Sequence, residues 1–158
     1  MLAWRVAACL TLLACLAGGC HTPTGTGETL SDEPYRYPLT PDSDPVEWAK
    51  HDPAELAQLV RVPSETLEAM STKAVAMTVL TCPLLVNYLV YSSLEQGLAA
   101  VERDCNALPE LLSRADAAEV VSAVLRDLEQ VDPNAEMEPT FIQIEFLRGL
   151  ATSQALDR

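Results

Sequence analysis

Positive charge is scarce in this chain of 158 residues: ten Lys and Arg stand against 23 Asp and Glu, a formal net charge of −13. Nucleic acids and anionic lipid headgroups are bound through clustered basic side chains, so neither partner fits this composition. Histidine is nearly absent, with His21 and His51 alone, and neither lies at ligand spacing from a cysteine, so no structural metal site is expected. There is no glycine-rich phosphate loop. Ser64, Ser71, Ser92 and Ser93 all have helix-capping explanations, and Asp104 beside Cys105 lacks a histidine nearby. The chain also lacks alternating apolar runs bounded by turn residues, and the strand–helix spacing of a parallel sheet is missing. No catalytic residue, metal ligand or cofactor is therefore assigned, and an enzyme with a site assembled from scattered residues ranks behind a binding role.

What is present begins with a leader. Arg5 supplies a short positive region, and residues 6–17 form an apolar stretch of signal-peptide size that is too short to cross a bilayer. It ends in Leu16-Ala17-Gly18-Gly19-Cys20. That ending resembles the lipobox of bacterial lipoproteins, in which the cysteine is acylated with palmitate-type chains and becomes the new N-terminus. Leu12-Leu13-Ala14-Cys15 is a competing match that would leave a very short apolar region. The resemblance implies a signal peptide over 1–19, a lipid on Cys20 and a bacterial envelope location. In a cell with two membranes, His21 rather than Asp after the cysteine implies the outer membrane. Residues 20–44 are rich in Pro, Gly, Thr and acid and poor in aliphatics, the composition of a disordered tether. Tyr35 and Tyr37 are its exceptions and are expected to pack on the domain. Asp42 and Asp44 lack the glycine and distant glutamate of a calcium loop, which leaves turn and cap chemistry.

The most apolar part of the remaining chain is 62–101, and residues 74–94 carry no charge at all. By length this run is a candidate membrane span. Punctuation argues for a buried globular core instead. Ser71 is a good N-cap, Pro83 suits the first turn of a new helix, and Ser92 with Glu95 makes a capping box for a third. On either side lie further helices. Asp44 and Asp52 precede Pro45-Val46-Glu47-Trp48 and a helix running to about Arg61, with Leu56, Leu59 and Val60 on its apolar face. His51 falls in the break between the two as a solvated junction residue. Asn106 opens a helix to Arg114, and Asp116 with Glu119 opens another to about Val131 striped by Val120, Val121, Val124, Leu125 and Leu128. Asp132-Pro133-Asn134 ends it, an acidic loop through Glu136 and Glu138 follows, and Pro139 starts a last helix with Phe141, Ile144, Phe146 and Leu147 inward. The expected fold is all-α: about six to seven short helices over 45–150 in an irregular bundle or short α-solenoid, with a fraying tail at 151–158.

Several of these stretches carry a likeness. Val62-Pro63-Ser64-Glu65-Thr66-Leu67-Glu68-Ala69-Met70-Ser71-Thr72, Thr78-Val79-Leu80, Cys82-Pro83-Leu84-Leu85, Tyr91-Ser92-Ser93-Leu94-Glu95-Gln96-Gly97 and Asn106-Ala107-Leu108-Pro109-Glu110-Leu111-Leu112 follow one another in order. The series resembles a domain of exported bacterial proteins with the pattern IPEDVLKSMST, TVLNYPLL, YNSLQEG and NGLQELL. Pro139-Thr140-Phe141-Ile142-Gln143-Ile144-Glu145 resembles its closing segment. Lys73-Ala74 and Cys105 depart from that pattern. The resemblance implies a helical fold and export, and no activity.

Of five cysteines, cleavage of the leader leaves Cys20, Cys82 and Cys105. In an oxidising compartment Cys82 and Cys105 are candidates for a disulfide, and equally for two small buried hydrophobes; separation in sequence leaves both open. Three roles follow: a lipid-anchored module binding an unknown envelope protein or peptide, an envelope enzyme, or a structural or cargo-holding lipoprotein. The first is preferred. The anchor itself has a direct test. Cells fed a clickable fatty acid label the wild-type chain and not Cys20→Ala; unchanged labelling of the variant rejects Cys20 as the acylated residue.

Overall fold

The computed structural model describes residues 30–130 and 141–157. The leader, Cys20, His21, the stop at Asp132-Pro133-Asn134, Glu136, Glu138 and Pro139 lie outside them. The described residues are mostly helical and contain no strand or sheet; a single parallel bridge joins Ser31 to Met70. In order come α1 (Pro45–Trp48), α2 (Pro53–Leu59), α3 (Ser64–Glu68) and α4 (Thr72–Leu80), then a 3-10 helix (Leu85–Val90). After it follow α5 (Leu94–Asp104), α6 (Ala107–Ser113), α7 (Ala117–Glu129), α8 (Phe141–Thr152) and a closing 3-10 turn (Gln154–Asp157). The all-α expectation holds.

Helix starts follow local chemistry where a short polar side chain is free to cap. Asp44 accepts from the Glu47 N–H at 2.9 Å ahead of α1. Asp52 and Glu55 form a complete reciprocal capping box ahead of α2. Ser71 accepts from the Ala74 N–H and starts α4. The α5 cap is Ser93, accepting from the Gln96 N–H, and not Ser92; the start lies one residue later than expected. Pro83 does not open an α-helix either: it precedes a 3-10 helix whose first residue is Leu85.

The core is built around α4. Thr72, Ala74, Val75, Ala76, Thr78, Val79 and Leu80 are all buried, and Lys73 alone of the nine residues is exposed. A helix buried on nearly every side has to be surrounded. Here α6 and α7 pack on it directly, and α7 in turn packs on α8. The first 3-10 helix lies against α5 and α8. Contacts between elements distant in sequence, α4 with α7 and the 3-10 helix with α8, belong to an irregular bundle and not to a solenoid, where each unit touches its neighbours. Residues 74–94 are thus divided among short elements, and no helix among the described residues is long and apolar enough to cross a membrane.

Two expected caps are used elsewhere. Asn106 makes no side-chain bond to its own helix. Its amide instead clasps the Val62 backbone, accepting from the N–H at 2.9 Å and donating to the carbonyl at 2.8 Å. Asp116 likewise leaves α7 uncapped and accepts from the Thr72 hydroxyl at 2.7 Å. Arg114 completes the set, donating to the Met70 carbonyl at 2.5 Å and the Leu67 carbonyl at 2.6 Å beside a salt bridge to Glu110. These three side chains bind α6 and the start of α7 to the segment that leads into α4.

Within the stretch expected as tether, residues 31–37 are laid on the core. Ser31 exchanges backbone hydrogen bonds with Ala69 and Ser71, both at 2.8 Å, and Tyr35 and Tyr37 pack against the buried cluster. Two further differences concern the C-terminal part. Phe141 faces out and is 69% exposed, whereas Phe146, Leu147 and Leu150 are fully buried. The tail does not simply fray, because Ala155 and Leu156 rest on the core.

The Asn106 clasp generates a stability test. Asn106→Ala leaves both polar backbone groups of buried Val62 unpartnered, and urea unfolding should show a loss of about 1–3 kcal/mol. Glu102→Ala, at an exposed position on α5, should change stability by less than about 0.5 kcal/mol.

Candidate functional site

Two places bring together chemistry that the fold does not need. The first is a buried cluster under the N-terminal strap formed by residues 30–37. In extended backbone, side chains two apart share a face. Tyr35 and Tyr37 therefore turn inward together, their rings edge to face with centroids 5.3 Å apart, while Pro34, Arg36 and Pro38 remain exposed. Thr78, fully buried in α4, receives the strap: its hydroxyl accepts from the Tyr35 N–H at 2.9 Å and donates to the Ala74 carbonyl at 2.8 Å. The Tyr37 hydroxyl donates to the Thr78 carbonyl at 3.1 Å and lies 4.0 Å from Cys105 Sγ.

Cys82 and Cys105 meet below that ring. Cys82 lies two residues past the end of α4, and Cys105 follows α5 two residues ahead of α6, so both sit beside the contact between α4 and α6. Both are free thiols, buried, with their side chains hydrogen bonded to each other. The sharing is unequal. Cys105 is lowered from the ordinary thiol value by the hydrogen bond from Cys82 and, against its burial, by the backbone N–H groups of Ala107 and Leu108. Cys82 is raised, by its hydrogen bond with Cys105 and then by burial. Burial and the adjacent thiols push the Tyr37 phenol far up, so it stays a neutral hydrogen-bond donor.

The second place is an apolar ledge on the 3-10 helix. With three residues per turn, side chains at i and i+3 eclipse. Leu85 and Tyr88 form the inward row; Leu85 is buried, and Tyr88 sits edge to face on Phe146 with centroids 5.4 Å apart. Gly97 admits Tyr88, for a β-carbon there would stand 2.7 Å from the Tyr88 carbonyl oxygen. Val86 and Leu89 form the next row and Val90 the third, all exposed, with Val90 at 75% and Tyr91 beside it. A shallow groove of about 280 Å³ runs along this edge between Tyr88, Leu89, Tyr91, Leu94, Phe141 and Glu145.

The other candidates resolve into structural roles. His51 lies between Glu47 and Glu55, its Nε2 and Nδ1 at 3.7 and 3.5 Å from their carboxylates. Asp104 is paired with Arg103. Thr40 and Ser43 bond to one another in a turn that delivers Asp44 to its cap. Among the described residues no cluster of three or more His, Cys, Asp and Glu is arranged to hold a metal ion. Sequence reasoning named Cys82 and Cys105 but missed Tyr37 and Thr78 as their neighbours. It also missed the ledge, because an uncharged run carries no sign of which apolar side chains turn out.

Comparison with protein-family models, curated proteins and solved structures finds no match to this chain.

Proposed function

We propose that the chain is a bacterial envelope lipoprotein, moored by acyl chains on Cys20, whose helical domain docks an apolar segment of another envelope protein on the 86–91 ledge. The observation that carries this reading is the exposure of Val86, Leu89 and Val90 on one short 3-10 helix, with exposed Tyr91 directly after it. Scattered apolar residues are ordinary on a surface, but a contiguous set beside a groove is the usual mark of a contact site. The ledge lies within the 74–94 run that has no charged residue, so docking there buries no ionised side chain from the run itself. The acidic remainder of the surface suits a domain held off anionic headgroups.

Magnitudes favour a transient contact. Covering a fully exposed Val or Leu side chain contributes ~1.5–3 kcal/mol, and these are already partly covered. Association costs ~4–15 kcal/mol in lost freedom, so four such side chains give weak binding by themselves. Anchoring supplies the difference: two partners held at one membrane meet at high effective concentration. The leader, the lipobox-like ending at Cys20 and the resemblance to exported helical domains support the same location.

The ledge is tested by a photo-reactive phenylalanine analogue placed at Val90 in the full chain, in its own cells. Lys73, exposed on α4, is the control position. Light should give a discrete polypeptide adduct from position 90, absent from position 73 and strongly reduced by Leu89→Asp. Equal adducts from both positions, or none from either, contradict the docking reading.

A further inference from the structure

We propose that Cys82 and Cys105 are a disulfide-forming site for small disulfide oxidants, and that Tyr37 on the N-terminal strap is its gate. Three observations carry this. The two thiols are side-chain hydrogen-bond partners where α4 packs on α6, so the groups that would join are already neighbours. They are sealed, Cys105 being 1% exposed and Cys82 also buried, so an oxidant reaches them only when something opens. Part of that cover is the strap, whose Tyr37 hydroxyl lies 4.0 Å from Cys105 Sγ. The strap is extended chain held by the Ser31 bonds to Ala69 and Ser71, the Tyr35 N–H on Thr78 and the Tyr37 hydroxyl. It can lift without unwinding a helix, and segments of this kind open at far lower free energy than the core.

The chemistry is thiol–disulfide exchange, begun at Cys105, the thiol 4.0 Å from the Tyr37 hydroxyl. With the strap lifted, the Cys105 thiolate attacks one sulfur of an oxidant R–S–S–R and expels RS⁻, which takes up the proton that Cys105 released. Cys82 then attacks the Cys105 sulfur of the mixed disulfide, gives up its proton and expels the second RSH. Two thiols become one disulfide, and the oxidant is reduced by two electrons to two RSH. Closure of the bond ties the end of α4 to the start of α6 across the 3-10 helix and α5, and so fixes the element that carries the ledge. Only the supply of oxidant in the cell depends on the export reading; the reaction of the purified protein does not.

The test uses the full chain with Cys9, Cys15 and Cys20 changed to Ala, so that Cys82 and Cys105 are its two thiols, reduced, freed of reductant and then incubated with oxidised glutathione. Thiols are counted by maleimide labelling after denaturation, and adducts by intact mass. This parent chain should lose both thiols together, with a mass decrease of two hydrogens and no retained glutathione. Cys82→Ala should retain one glutathione on Cys105, and Cys105→Ala should react at least about tenfold more slowly. Tyr37→Ala should speed oxidation by about tenfold and Tyr37→Phe, which keeps the ring, much less. Thr78→Val removes the acceptor of the Tyr35 N–H without touching the thiols, and should also speed oxidation if helical circular dichroism is native. A pair that stays reduced at equilibrium overturns the site. Oxidation at the parent's rate in natively helical Tyr37→Ala or Thr78→Val overturns the gate. If Tyr37→Ala loses its native helical signal, the Thr78→Val rate decides the gate.

Discussion

A helix with almost no wet face is the constraint from which the rest of this structure follows. Polar exposure would normally orient α4, but its side chains from Thr72 to Leu80 are almost all removed from water. Its neighbours must close round it on nearly every side, and each brings a different surface: α6 and α7 supply apolar stripes, and the extended strap supplies two aromatic rings. Close packing of that kind leaves little room for polar mismatch, because an unpartnered buried group costs ~1–3 kcal/mol. The mismatches are met by side chains. Asn106, Asp116 and Arg114 satisfy backbone and hydroxyl groups of the segment entering α4, and the Thr78 hydroxyl both donates into its helix and accepts from the strap. Among the described residues no buried side-chain nitrogen or oxygen is left without a partner.

That same enclosure sets what the protein can do. The strap has to be present to cover Thr78, and so it also covers Cys82 and Cys105, which α4 and α6 bring together as a by-product of their packing. The 3-10 helix has to present Leu85 and Tyr88 to the core beside Phe146 and Gly97, and a three-residue repeat then turns Val86, Leu89 and Val90 outward. Both the thiol cluster and the ledge are consequences of covering one apolar helix with short elements. They are also connected, for Cys82 and Cys105 bracket the chain from the 3-10 helix through α5.

How much of this could be read in advance divides by range. Asp44, Asp52 and Ser71 were legible as caps because capping is satisfied within three residues. Asn106 and Asp116 have the same local signature, yet their side chains bind partners 44 residues away, and no local pattern distinguishes the two uses. The stretch 30–44 had the composition of a tether; its order rests on Tyr35 and Tyr37 meeting a single threonine in α4, and composition averages two such residues away. Phe141 looked inward by periodicity and faces out, since α8 buries the row through Phe146, Leu147 and Leu150 instead. The cysteine pair was visible only as a question of distance, which sequence separation does not answer. The ledge was hidden for a different reason: in a six-residue apolar stretch, repeats of 3.0 and 3.6 residues look alike.

Hydrogen exchange on the full chain tests the central claim most directly. If α4 is enclosed on nearly all sides, its amides from Ala74 to Leu80 exchange only through global unfolding and are the slowest in the domain, while those of α1 and α2, which bury no residue, exchange through local opening. Exchange of the α4 amides as fast as those of α1 would contradict an account built on that enclosed helix.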